Sequence, residues 1–162
     1  MKIVGRAHVY GDNIDTDRII PGKYTKTLDL QSLADHVMED LDPDFSKNVQ
    51  QGDIVVAGTN FGCGSSREQA PLALKTAGVS LIVAQSFARI FFRNAINIGL
   101  PIIEVKDFTI APNDIVEADL INGTITVNGE TYIGTKMPQV MVDILNEDGL
   151  VPYLAKHNNY HL

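Results

Sequence analysis

Two apolar patterns alternate through the middle of the chain. Asp53–Gly58, Val79–Ala84 and Leu100–Val105 are short, nearly unbroken apolar runs, as expected of strands buried on both faces. Between the first two runs a glycine-rich turn leads into a helical stretch that ends at Ala77, with Gly78 as its stop. Between the second and third, Ser86 is placed to cap a helix from Phe87 to about Ile98, stopped by Gly99. Strand–helix alternation of this kind predicts parallel pairing with right-handed crossovers. Upstream, Lys2–Tyr10 has strand character. Leu30, Leu33, Ala34, Val37, Met38 and Leu41 then recur at three- and four-residue steps, one apolar face of a helix with Asp29 as N-cap and Pro43 beyond its end. Downstream, Ile115–Ile121, Thr124–Val127 and Thr131–Ile133 are short strands joined by Asn122-Gly123 and Asn128-Gly129, strong hairpin signals. Pro138 opens a last helix, Gln139–Glu147, ended by Gly149. The expectation is an α/β fold: a mixed sheet with a parallel βαβ core plus antiparallel β-hairpins.

Length turns that pattern into one domain. At 162 residues the chain fits a single unit, residues 1–162, able to bury about 70% of its unfolded surface. No apolar run approaches the roughly 18 residues that span a bilayer. The N-terminal MKIVGRAHVYGDN is too short and too polar for the apolar region of a signal peptide. A cytoplasmic protein with no membrane contact is expected. Thirteen Lys and Arg against 20 Asp and Glu leave a net charge of −7. Without a basic cluster, that charge excludes nucleic acid as a partner. The single cysteine, Cys63, excludes an intrachain disulfide, an all-cysteine zinc site and a complete set of Fe–S ligands. His157 and His161 stand at i, i+4 but lack the glutamate of a zincin motif, so a polar tail is the reading and no metal site is expected.

The densest chemistry lies in Gly62-Cys63-Gly64-Ser65-Ser66-Arg67-Glu68, between a strand and a helix. Its glycines allow a sharp turn and close approach of a ligand. Ser65 and Glu68 fit the S-x-x-E capping box, making Ser65 the expected N-cap. Free amides and the positive end of the helix dipole then offer an anion site, and Arg67 adds a fork suited to a carboxylate. Pro71 complicates this, because the regular helix would start near it if Ser65–Ala70 forms an irregular first turn. The phosphate-binding G-x-x-x-x-G-K-[ST] and the nucleophile elbow G-x-S-x-G are absent. Asp15 and Asp17 are a candidate carboxylate pair, although an isolated D-x-D reads first as a turn with an Asx cap. Arg89, Arg93 and Asn97 form one polar stripe at i, i+4, i+8, read as facing solvent. Cys63 is either a thiol activated near a helix N-terminus or a small residue packed in a tight turn.

Three segments together carry a resemblance. Asn13-Ile14-Asp15-Thr16-Asp17, Asn60-Phe61-Gly62-Cys63-Gly64-Ser65-Ser66-Arg67-Glu68 and the run from Ser86-Phe87-Ala88-Arg89 to Gly99-Leu100-Pro101 occur in this order and spacing. In this the chain resembles the small subunit of the isopropylmalate dehydratase group, which corresponds to the swivel domain of aconitase. The resemblance covers nearly the whole chain. It implies a three-layer β/β/α swivelling domain that closes over a large catalytic subunit whose three cysteines hold a [4Fe-4S] cluster, with no cofactor bound by this chain. The implied reaction dehydrates and rehydrates a malate-like hydroxy acid. By the same resemblance Ser65 is the general base, Asp17 a further active-site residue, and Ser66 and Arg67, with Gly64 beside them, hold a substrate carboxylate. Serine is a weak base unless its alkoxide is stabilised, which oriented positive charge would do. In the relatives, the loop reached here by Tyr24-Thr25-Lys26-Thr27 faces the variable substituent, which makes Thr25 and Lys26 substrate-binding candidates. Lys26 departs from the aliphatic pattern expected for isopropylmalate. Either its stem covers an isopropyl group while its charge reaches water, or it pairs with a distal carboxylate of a homocitrate-type acid. Isopropylmalate is the expected substrate, with citramalate and homocitrate-type acids as alternatives. A non-enzymatic anion-binding domain is the alternative of another class, but a sensor has no need of Ser65.

Overall fold

The computed structural model describes residues 1–26 and 29–157; Thr27, Leu28 and His161 lie outside the described residues. Strand β1 (Lys2–Val9) runs through the centre of a seven-stranded sheet. On one side it pairs in parallel with β2 (Ile54–Ala57), followed by β3 (Leu81–Ala84) and β4 (Ile102–Glu104), all parallel. On the other side it pairs antiparallel with β5 (Ile115–Asp119), followed by β6 (Thr124–Val127) and β7 (Glu130–Ile133). The order is therefore β4-β3-β2-β1-β5-β6-β7, the expected parallel core joined to antiparallel hairpins. The sheet curls until its ends meet: Thr135 N, just past β7, donates to Glu104 O of β4 at 2.9 Å. Gly134 makes that approach possible, because a Cβ there would collide with the same carbonyl. Every residue of β2 and β3 is buried, as the middle layer of a β/β/α arrangement requires.

The helices follow the apolar periodicity with informative exceptions. Asp29 caps α2 (Leu30–His36), accepting from Gln31 N at 3.0 Å. This follows α1 (Thr16–Ile19) and the single 3₁₀ turn Gly22–Tyr24. α2 ends a turn before the apolar pattern does. Met38 takes φ +61° and its amide donates to Ile19 O at 2.7 Å. Val37 and Met38 remain fully buried, so the periodicity records burial rather than helix. A one-turn helix α3 (Phe45–Asn48) precedes β2. α4 (Gln69–Ala77) ends on Gly78 at φ +113°, as expected. Its start corrects the capping-box reading: Glu68 is the N-cap and Ser65 lies outside the helix. Pro71 falls in the first turn, where its missing N–H has no intrahelical acceptor in any case. α5 (Arg89–Asn97) likewise begins after Ala88 rather than on Ser86. The Ser86 hydroxyl instead accepts from Asn60 N at 2.8 Å. α6 (Gln139–Asn146) matches expectation, and α7 (Leu150–His157) is an element the sequence reading did not contain. Among the described residues no helix is long and apolar enough to cross a membrane.

Candidate active site

Parallel strands deliver their C-terminal loops to one edge of a sheet, where ligands bind in α/β folds. Here the loops after β1, β2 and β3 meet at that edge and are stitched by backbone. Asp15 bridges to Cys63, and Phe61 bridges to Phe87. Gly62 N donates to Ile14 O at 2.7 Å, Thr16 N to Cys63 O at 2.9 Å, and Ala88 N to Phe61 O at 2.9 Å. The three segments that stand far apart in sequence thus form one continuous floor.

Two glycines shape the turn. Gly62 has φ +83° and lies so close to the Phe91 ring that a Cβ would overlap it; Gly64 has φ +95°. Both conformations favour glycine. Past them, the Thr16 hydroxyl donates to Ser65 O at 2.9 Å and holds the loop open before α4 begins. Within the described structure the amides of Ser65 and Ser66, and both hydroxyls, have no hydrogen-bond partner.

The resulting cavity, about 180 Å³, is lined by Thr16, Gly64, Ser65, Ser66, Arg67 and the first turns of α5. Arg67 reaches Asp17 with Nη2 3.1 Å from Oδ1. Gly22 makes room for that guanidinium, since a Cβ there would be 2.7 Å from Nη1. Asp17 is 61% exposed, so the pair contributes about 0–1 kcal/mol and is readily broken by a competing carboxylate. The D-x-D pair separates: Asp15 caps α1, accepting from Arg18 N at 2.9 Å, while Asp17 faces Arg67. Cys63 is half-buried in the stitched floor.

The structure also shows what lies elsewhere. Thr25 and Lys26 do not line the cavity: the Thr25 hydroxyl donates to Gly22 O at 2.8 Å, and Lys26 is exposed. Their loop leaves from Gly22, against Arg67. All three residues of the polar stripe of α5 line a groove between α5 and α6, and Arg89 lines the cavity as well. Asn94, unremarked in the sequence, lines the cavity as well. Its signal was its place one turn inside a helix that starts at the carboxyl edge of β3.

Asp53, also unremarked, is buried on the far side of the parallel core. It accepts from Arg6 at 2.9 Å, His8 at 2.7 Å and Gln50 N at 2.9 Å. Burial alone would raise its pKa, but the hydrogen bonds from His8, Gln50 and Arg6 outweigh that and hold it below the usual carboxylate range. Nearby, Tyr10 donates to Asp42 at 2.8 Å, and burial together with that carboxylate pushes its phenol pKa up.

Comparison with known proteins agrees with this geometry. The aconitase C-terminal domain family matches residues 42–107, which hold the glycine-rich turn and α5. The small subunit of 3-isopropylmalate dehydratase from Clostridium beijerinckii is 52% identical over 95% of this chain and 98% of its own length. Small subunit 1 from Thermotoga maritima is 53% identical over 98% of both. The crystal structure of 3-isopropylmalate dehydratase from Methanocaldococcus jannaschii superimposes with a TM-score of 0.92 at 48% identity, covering 98% of this chain and 96% of the other. With identity above half over almost all of its length, the chain belongs to the family of 3-isopropylmalate dehydratase small subunits.

Proposed function

We propose that this chain is the small subunit of a 3-isopropylmalate dehydratase. With a large subunit it interconverts 2- and 3-isopropylmalate by dehydration and rehydration, a step of leucine biosynthesis. The observation that carries this reading is the convergence of Ser65, Ser66 and Arg67 on one cavity in a chain of this family. Ser66 and Arg67 hold one substrate carboxylate, and Asp17 releases Arg67 to it. As an alkoxide, Ser65 Oγ takes the proton from the carbon α to a carboxylate and becomes the hydroxyl, and it returns that proton on rehydration. Free amides and Arg67 supply the oriented positive charge that an alkoxide needs. Thr25 and Lys26 face the variable substituent of the bound acid.

The chain's own residues do not fit an iron–sulfur cluster. Cys63 is its one cysteine, and among the described residues no three His, Cys, Asp or Glu side chains group as a metal site. The [4Fe-4S] cluster of the reading therefore belongs to the large subunit. Residues 1–162 act as one swivelling unit that closes over that partner, in the cytoplasm.

The test is reconstitution. The chain and its large subunit are purified apart under anaerobic conditions, and the large subunit is loaded with iron and sulfide. Each is assayed alone and mixed. The mixture should turn over isopropylmalate in preference to citramalate and homocitrate-type acids, and neither half should do so alone. Robust turnover by this chain alone, or preference for a tricarboxylic acid, overturns the reading.

A further inference from the structure

The 3₁₀ turn Gly22–Tyr24 stands between Arg67 and α2 and touches both. On the cavity side Gly22 lies against the guanidinium, so that a Cβ there would be 2.7 Å from Nη1 and 3.3 Å from Nη2. On the far side the Tyr24 ring lies flat on the imidazole of His36, the last residue of α2, with ring centroids 3.7 Å apart and planes within 3°. His36 Nδ1 stands 3.1 Å from Glu39 Oε1. A carboxylate only accepts, so Nδ1 carries the proton of that bond, and the bond fixes the plane of the ring. The hydrogen bond from His36, with a further one from Tyr24, holds the Glu39 carboxyl below the usual carboxylate range against the cost of burial. The end of α2 is itself anchored: Val37 and Met38 are fully buried, and Met38 N donates to Ile19 O at 2.7 Å.

We propose that His36 is a positioning residue of the site: by holding Tyr24 it fixes the turn that walls Arg67, and so sets where the guanidinium meets a substrate carboxylate. The proposal rests on the dehydratase reading above. Arg67 pairs with Asp17, but that contact is the one a substrate carboxylate displaces. The Gly22 backbone is a wall that stays in place when the pair opens. A guanidinium makes two parallel hydrogen bonds to a carboxylate only when its plane is held. The turn's own bonds run from Tyr24 N to Pro21 O at 3.0 Å, from Thr25 N to Gly22 O at 3.2 Å and from the Thr25 hydroxyl to Gly22 O at 2.8 Å. These close the turn on itself, and Lys23 Nζ, 5.1 Å from the Tyr24 ring centroid, also belongs to it. The stack on His36 is what ties the ring to α2. Ser65 is held separately, by the Thr16 hydroxyl on its carbonyl, so the stack bears on binding and not on the base.

A stack that served packing alone would change stability and leave substrate binding as it was. In the assembled enzyme, His36→Ala should raise KM for isopropylmalate about three- to ten-fold, because the turn is then ordered only as substrate binds and the worth of an aromatic pair is lost from affinity. kcat should stay near wild type. His36→Phe keeps a flat ring under Tyr24 and should recover most of the loss. Coupling to Arg67 is the sharper readout. In an Arg67→Lys background there is no fork to orient, so adding His36→Ala should raise KM by no more than about two-fold. Titration of the same assemblies with malate, which needs no turnover, should repeat both results. Tyr24→Leu removes the same stack from its other side and replaces His36→Ala if that variant does not fold. An unchanged KM, a fall in kcat in its place, no recovery by His36→Phe, or the same loss with and without the Arg67 fork each overturns the proposal. A wild-type assembly that shows this coupling with malate yet does not turn over isopropylmalate would instead refute the dehydratase reading and leave the positioning role standing.

Discussion

Two charged clusters flank the parallel core, and they differ in where their hydrogen bonds end. Around Asp53 the network closes within the chain, apart from Arg6 Nε, which is buried without a hydrogen-bond partner among the described residues. The carboxylate is 6% exposed and takes three donors, from Arg6, His8 and Gln50 N. The His8 ring stands edge-on to Phe45 at 5.1 Å, and Arg6 also donates to Asn48 O at 2.8 Å. Around Ser65 the network stays open: among the described residues two hydroxyls, the amides behind them and Arg89 have no partner, and Arg67 holds an exposed aspartate. Buried polar groups without partners destabilise a fold, so an interior cluster closes on itself. Exposed groups without partners cost little and remain available to a ligand. The first cluster holds the strands together; the second is half of a binding site.

Removing Asp53 should give the largest loss of stability. Asp53→Ala leaves Arg6 and His8 without their acceptor and should cost about 3 kcal/mol. That is the low end for a broken buried pair, because Arg6 is 31% exposed. Thermal melting should show a drop of roughly 6–12 °C at this chain length, while kcat of the assembled, folded enzyme stays at the wild-type value. The same carboxylate gives a pH signature. Its folded pKa is held below the ordinary value, so its stabilisation is complete above about pH 4 and is lost as pH falls through the folded value. The wild-type melting temperature should therefore fall more steeply below pH 4 than that of Asp53→Asn. Parallel slopes would show that Asp53 is not the group responsible.

Arg67→Lys works on the other side of the comparison. It should raise KM about ten-fold by losing the fork to a carboxylate, with little change in melting temperature. A large fall in stability with KM unchanged would move Arg67 into the structural class.

Much of this arrangement was legible in the sequence, because burial and turn chemistry are local signals. The apolar runs at β2 and β3 and the Asn-Gly turns before β6 and β7 appear where expected. What was missed depends on contacts across the chain. The periodicity over Leu30–Leu41 does not reveal that Met38 turns back to Ile19. The Ser65 and Ser86 caps lose to longer-range bonds, from the Thr16 hydroxyl to Ser65 O and from Asn60 N to the Ser86 hydroxyl. α7 hid behind Pro152, which the first turn of a helix accepts. Arg89 belonged to a stripe with Arg93 and Asn97 that lines one groove, and only the backbone bridge at Phe87 shows that Arg89 also reaches the cavity of Ser65.

The smallest effect is expected at Lys26. Its charge is exposed, so with only its stem against the isopropyl group Lys26→Leu should change kcat/KM for isopropylmalate by no more than about two- to three-fold. A selective loss for a homocitrate-type acid, together with wild-type preference for that acid, would assign the lysine to a distal carboxylate instead.

The open cluster is most directly tested at the residue that the account makes the base. In the enzyme assembled with its large subunit, kcat, KM and melting temperature are measured for Ser65→Ala. The side chain has no partner to lose among the described residues, so melting temperature and KM should stay near wild type. Loss of a general base should lower kcat by about 10²–10⁴-fold. Normal turnover by Ser65→Ala would contradict the account.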